Sequence, residues 1–170
     1  ASLNPKQAIR LNEAGQGGVY VIEGANAVIE ALRAGCDIVT DTQMAKAGIN
    51  KTILASLGGG VHCFMSDPDV AQEAKTRGVT RAFVSMERAA MLQKPCIFAI
   101  GNAPTALLSL EALMEENKVA PALIIGVPVG FVNVEASKEQ IIAAARAPYI
   151  VARGRKGGSN VAAAICNALL

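Results

Sequence analysis

Three cations stand within one glycine-rich stretch near the end of the chain, Arg153-Gly154-Arg155-Lys156-Gly157-Gly158-Ser159-Asn160. Guanidinium and ammonium groups beside a helix start suit carboxylates or phosphates, because fixed positive charge and free backbone N–H groups act on the same anion. The alternative is a solvated surface loop. A second stretch, Gly101-Asn102-Ala103-Pro104-Thr105-Ala106-Leu107, joins a flexible glycine, a side-chain amide and a helix-starting proline. It predicts N–H groups pointing outward, an anion-binding end. A third, Gly126-Val127-Pro128-Val129-Gly130-Phe131-Val132-Asn133, is apolar with two glycines; it would let a large flat ligand approach the backbone, or form a buried turn. Arg81, just after Thr80 at an expected helix start, is either an anion clamp or a surface cation. Asp41, in Thr40-Asp41-Thr42-Gln43-Met44, either caps the next helix or orients a ligand or catalytic group.

His62 is the single histidine and so the first candidate for acid–base work near neutral pH. It falls within an expected strand beside Cys63 with no evident orienting carboxylate, which points to a structural role. Cys36, Cys63, Cys96 and Cys166 are far apart, form no CxxC pair and lie in apolar runs, so they are expected to be structural thiols rather than disulfides or metal ligands. One histidine makes a zinc site improbable. Neither G-x-G-x-x-G nor G-x-x-x-x-G-K-[ST] occurs in register with a strand and a helix, which disfavours a nucleotide.

The elements that must position these residues follow from composition and pattern. The 170 residues suit one domain, and with 52% hydrophobic and 18% charged residues the chain has a core to bury. Sixteen glycines, no tryptophan and many Ala, Val, Ile and Leu suit an α/β fold with tight turns. A net charge of +2 is too small for a nucleic-acid binder, so any anion must be met locally. The longest apolar stretch, Val119 to Val132, is too short to span a bilayer and is broken by Pro121, Gly126, Pro128 and Gly130. Ala1 to Arg10 shows no export signature, and the expected location is the cytoplasm. Strands are expected at Val19–Ile22, Ile38–Thr40, Val61–Met65, Cys96–Ile100, Leu123–Val127 and Tyr149–Ala152. Helices are expected at 25–34, 42–48, 68–77, 81–92, 104–117, 134–146 and 160–169, with another between Asn4-Pro5 and Gly15. Asp67-Pro68 reads as an N-cap and first-turn proline, and Gly78 and Gly35 as left-handed stops. The alternation predicts a single domain, residues 1–170, with a mostly parallel, Rossmann-like central sheet and helices on both faces. In such sheets ligands collect beyond the carboxyl ends of the strands, where the three stretches lie.

Thr40-Asp41 with Met44, Gly78-Val79-Thr80-Arg81, GNAPTAL from Gly101, Pro121 through Asn133 with IGVPVGFVN, and RGRKGGS from Arg153 together resemble the precorrin-8X methylmutase family, which includes cobalt-precorrin-8 methylmutase. The likeness runs from about Val19 to Leu170. It implies a part in cobalamin biosynthesis, a homodimer with sites near the subunit interface, no cofactor and no metal ligand. The implied reaction moves a methyl group from C-11 to C-12 in ring C of precorrin-8X or cobalt-precorrin-8, giving hydrogenobyrinate or cobyrinate. The resemblance carries substrate binding to Asp41, Gly48, Ile49, Arg81, Gly101, Asn102, Thr105, Gly126, Gly130, Arg153, Gly154, Lys156, Gly157 and Ser159. Acetate and propionate arms would meet Arg81, Arg153, Arg155 and Lys156, and the flat macrocycle would meet the glycine-lined wall. The family histidine, in an R-x-x-H-x-T/C-G-like stretch, counts back to about Gln7, and Lys6 to Arg10 does not match it. No catalytic residue is therefore assigned, and the rival expectation is a corrinoid carrier or scaffold of the same fold. A third is an unrelated small-anion-binding domain.

Overall fold

The structure, a computed structural model, describes residues 20–170. Short runs rich in Val, Ile and Leu form β1 (Tyr20–Glu23), β2 (Asp37–Thr40), β3 (Val61–His62), β4 (Cys96–Ile100), β5 (Leu123–Gly126) and β6 (Tyr149–Ala152). They make one sheet in the order β1-β6-β5-β4-β2-β3. The five strands from β6 to β3 are parallel, and β1 adds an antiparallel edge on β6. Every residue of β2, β4, β5 and β6 is buried, as parallel strands covered on both faces must be.

Eight helices cover the sheet among the described residues: α1 (Ala25–Arg33), α2 (Gln43–Gly48), α3 (Lys51–Ser56), α4 (Pro68–Arg77), α5 (Arg81–Ala90), α6 (Pro104–Glu115), α7 (Val134–Ala144) and α8 (Ser159–Leu169). Because successive strand residues point to opposite faces, the core divides in two. On one face Ile38, Ile97, Ile125 and Ile150 pack with Val28 and Leu32 of α1, Leu54 of α3 and Ile165 of α8. On the other, Val39, Phe98, Ile124 and Val151 pack with Met86 of α5, Leu107 and Leu110 of α6 and Ile141 of α7.

The expected helices on both faces and all six strands are present, with three differences. The third strand ends at His62 instead of Met65, because the chain turns at Phe64, whose carbonyl accepts from the Asp67 N–H. Helix α3 was not expected; Asn50 starts it by accepting from the Ile53 N–H at 3.1 Å. Asp67 stands at its expected N-cap position, but its side chain makes no capping bond. Gly78 and Gly35 do take left-handed conformations at helix ends. The expected helix between Asn4 and Gly15 lies outside the described residues, as does Gln7. Among the described residues no helix is long and apolar enough to cross a membrane.

Chain order places a reversal in the sheet. From β2 the chain runs outward to edge strand β3, whereas from β4 it runs the other way to β5 and then β6. Since β2 and β4 are hydrogen-bonded neighbours, the connections leaving their carboxyl ends diverge and open a crevice, the usual ligand position in open α/β sheets.

Candidate functional site

The crevice is occupied by the protein's own carboxylate. Asp41, the first residue past β2, is buried and reaches across to the start of α6. The Gly101 N–H donates to Oδ1 at 2.8 Å, and the Asn102 and Ala103 N–H groups donate to Oδ2 at 2.8 and 2.7 Å. Burial raises the Asp41 pKa, and the three N–H donors act against that rise. The expectation of an open anion-binding end at Gly101–Ala103 is therefore corrected: proline removes one donor and Asp41 takes the three before it. Asp41 does not cap α2 either. Thr42 does, accepting from the Ala45 N–H at 3.1 Å and donating to Ser159 Oγ at 2.7 Å.

Around this clamp the loops after β2, β4, β5 and β6 converge. Gly101 is glycine because a Cβ there would lie 2.7 Å from Ser159 Cα and 2.8 Å from the Gly158 oxygen. At Gly157 a Cβ would lie 2.0 Å from the Val127 oxygen, the atom that accepts from the Gly158 N–H at 2.9 Å. Val127 in turn donates its N–H to Ile100 O, so each loop is hung on the next.

Several residues expected to touch a ligand are used by the fold. Ile49 is in the core, and Gly48 lets α2 approach α8, its Cβ position being 2.9 Å from Ala163 Cβ and its carbonyl accepting from Asn167 Nδ2. Gly126 is buried, with Val151 and Leu107 against its open side, so it offers no wall to a ligand. Gly130 is exposed with φ +130, a conformation that L side chains rarely adopt. The apolar surface of this stretch is instead Phe131 and Val132, 86% and 77% exposed.

The cationic loop lies along α7. Arg153 pairs with Glu139 at 3.1 Å, and Arg155 pairs with Glu135 at 3.3 Å while its guanidinium sits 5.8 Å from the Phe131 ring centre. Both pairs are solvent-exposed, and Lys156 makes no ion pair among the described residues. Underneath, Lys138 of α7 is fully buried and donates to Gly154 O at 2.7 Å and Lys156 O at 2.8 Å. Burial brings its pKa down to about 8, with Glu135 opposing. Sequence reasoning missed Lys138. Its signal was the helical spacing it shares with Val134, Ser137 and Ile141, all buried, on a face where an unpartnered lysine rarely belongs.

Arg81 is exposed at the first turn of α5. Thr80 of that turn and Thr105 of α6 line one groove with Val79, Phe83 and Leu108, a cavity of about 330 Å³. Arg81 thus follows a residue that shares a groove with exposed Thr105. His62 does not join them. Its Nε2 is 2.8 Å from Asp37 Oδ2, and Asp37 also accepts from Lys94 Nζ at 2.7 Å and the Gly60 N–H at 2.8 Å. An orienting carboxylate therefore exists, contrary to expectation, but Asp37 begins β2 and the cluster lies at the amino end. Burial works to raise the Asp37 pKa, yet these donors outweigh it and leave the pKa below its ordinary value. All four cysteines are free and buried. Among the described residues no three His, Cys, Asp or Glu side chains stand together as metal ligands.

The precorrin-8X methylmutase family model matches residues 20–170. The cobalt-precorrin-8 methylmutase of Leptospira interrogans is 47% identical over 149 residues, covering 84% of this chain and 68% of that protein. The Methanothermobacter thermautotrophicus cobalt-precorrin-8 methylmutase is 38% identical over 170 residues, covering 100% and 75%. A crystal structure of precorrin-8x methyl mutase from Thermus thermophilus superposes with a TM-score of 0.84 at 30% identity, covering 99% of this chain and 86% of that one. The chain spans about two thirds of the length of the curated relatives it matches.

Two outcomes test this geometry. Asp41→Asn replaces one accepting oxygen by an NH₂ group that faces an N–H donor, so it should lower unfolding stability by about 2–4 kcal/mol, close to the effect of Asp41→Ala. Urea denaturation measures it, and a loss below about 0.5 kcal/mol would remove the clamp from its structural role. Lys138 holds its proton less tightly folded than unfolded, so between about pH 8 and 10.5 the unfolded chain binds more protons and the lysine makes stability rise with pH. Measured against Lys138→Met, wild-type stability should gain by up to about 1.4 kcal/mol per pH unit in that window; a gap that does not change with pH contradicts the buried, charged lysine.

Proposed function

The chain belongs to the precorrin-8X methylmutase family, intramolecular methyl-transferring isomerases of cobalamin biosynthesis, and on that premise we propose that its carboxyl-end loops hold precorrin-8X or cobalt-precorrin-8 while a methyl group passes from C-11 to C-12 of ring C. The C-11 to methyl bond breaks and the C-12 to methyl bond forms, so substrate and product are isomers and no oxidant or reductant is consumed. The observation that carries the reading is the cationic loop, whose arginines form ion pairs with exposed carboxylates alone.

An exposed Arg–Glu pair contributes roughly 0–1 kcal/mol, whereas a bidentate guanidinium–carboxylate contact in a partly desolvated site is stronger, so substrate arms can displace Glu139 and Glu135. Lys156, Arg81 and the hydroxyls of Thr105 and Ser159 extend the same polar rim, with Gly154 providing a turn at φ +74. Phe131 and Val132 offer an apolar face to the macrocycle. In this reading Asp41, Gly48, Ile49, Gly101, Gly126 and Gly157 act by shaping the loops, and Asn102 and Gly130 stand at the rim. Such a site binds the arms of substrate and product alike; what it adds to rate is orientation of ring C. The exposed apolar tip also suits a homodimer interface near the site. Four buried free thiols suit a reducing compartment, and we place the reaction in the cytoplasm.

A specific observation favours a second reading. Among the described residues the only histidine is tied to Asp37 at the far end of the sheet, so no imidazole there stands at the rim for proton transfer. A carrier that retains the pigment without converting it fits that observation. Incubating the protein with precorrin-8 and following absorbance separates the two. The methylmutase reading expects the corrin spectrum to develop over many turnovers per site, and stoichiometric retention with an unchanged chromophore would support the carrier. Arg81→Ala combined with Lys156→Ala should raise the Kd for cobyrinate by about tenfold or more, since a hydrogen bond to a charged group contributes roughly 1.5–3 kcal/mol. An unchanged Kd would remove the proposed rim.

A further inference from the structure

Lys138 is the only fully buried lysine or arginine among the described residues, on a helix face otherwise made by Val134, Ser137 and Ile141. An apolar side chain of the same length would fill that space without the cost of desolvating an ammonium group. The lysine instead donates to two carbonyls, of Gly154 and Lys156, that flank Arg155. Helix α7 therefore grips the loop at two levels. Above, Glu135 and Glu139, one on either side of Lys138 along the helix, pair with Arg155 and Arg153 in solvent. Below, Lys138, itself fully buried, bonds the backbone of the loop.

The upper pairs are exposed, side chain to side chain, and can be exchanged, but the lower bonds start from a buried ammonium group that a ligand carboxylate does not reach while the loop keeps its shape. We propose that Lys138 is a positioning residue for substrate binding: it fixes the backbone around Arg155 so that Arg153 and Arg155 can leave Glu139 and Glu135 for substrate carboxylates without the loop losing its shape. This rests on the polycarboxylate reading above. Substrate binding then becomes a change of partner over a prebuilt scaffold, with little loop ordering to oppose it.

Because Lys138 acts through the arginines, its effect must depend on them. Cobyrinate titration of the full chain is carried out for wild type, Lys138→Met, the double variant Arg153→Ala/Arg155→Ala, and the triple combination. Lys138→Met should weaken binding about tenfold in the wild-type background and less than twofold when both arginines are absent, and in turnover it should raise KM with kcat little changed. Equal effects in both backgrounds, or none, overturn the proposal. A readout independent of ligand separates this failure from failure of the binding reading: amide hydrogen exchange at Gly154–Gly157 should accelerate at least tenfold in Lys138→Met while the amides of β4 and β5 keep their rates. If wild type does not bind cobyrinate, the polycarboxylate reading falls, and Lys138 loses its positioning role for that ligand whatever the exchange rates. Unchanged exchange at the loop overturns the anchor itself. Should Lys138→Met fail to fold, Lys138→Leu, which likewise removes both donors while keeping an apolar side chain in the space, carries the same comparisons.

Discussion

Asp41 fills the one place in a parallel sheet where a ligand would ordinarily sit, and the rest of the carboxyl end is built on that fact. Its carboxylate accepts three successive N–H groups at the start of α6, where the helix dipole favours negative charge. With Gly101 held there, Gly158 and Ser159 can lie within van der Waals reach of its Cα, and Ser159 can in turn accept from Thr42. Four loops that belong to four different strands thereby become one surface. In the proposed reading a ligand rests on top of this surface, above the buried Asp41 carboxylate.

The charges on that surface form two classes. Glu135 and Glu139 pair with Arg155 and Arg153 through exposed contacts. Lys138, buried one layer down, is committed to the backbone through two hydrogen bonds, and its burial lowers its pKa. The proposed binding of a polycarboxylate draws on both: cations that can change partner, and a frame that does not move when they do.

Much of this was legible in the sequence and some was not. The strands, most helices and the parallel class follow from short β-branched runs alternating with amphipathic segments, and the stretches beginning at Gly101 and Arg153 do follow β4 and β6, while that beginning at Gly126 starts on the last residue of β5. Local pattern failed where a long-range partner decided the outcome. Asp41 reads as a cap for α2 because only its own neighbours are visible; that it serves α6, about 60 residues on, needs the pairing of β2 with β4. Gly126 reads as a ligand wall because glycine marks close approach without saying by what, and the close groups are Val151 and Leu107. His62 was separated from Asp37 by 25 residues and so seemed to lack a carboxylate.

The central claim, that ligand carboxylates are met at the rim above the Asp41 clamp, is tested most directly by mapping amide hydrogen exchange with and without saturating cobyrinate. The account predicts slowed exchange at Asn102–Thr105, Gly130–Val132 and Arg153–Ser159 and at the first turn of α5, with the amino end of the sheet around Asp37, His62 and Lys94 unaffected. Protection concentrated at that amino end, or absent from the three loops while cobyrinate is bound, would contradict it.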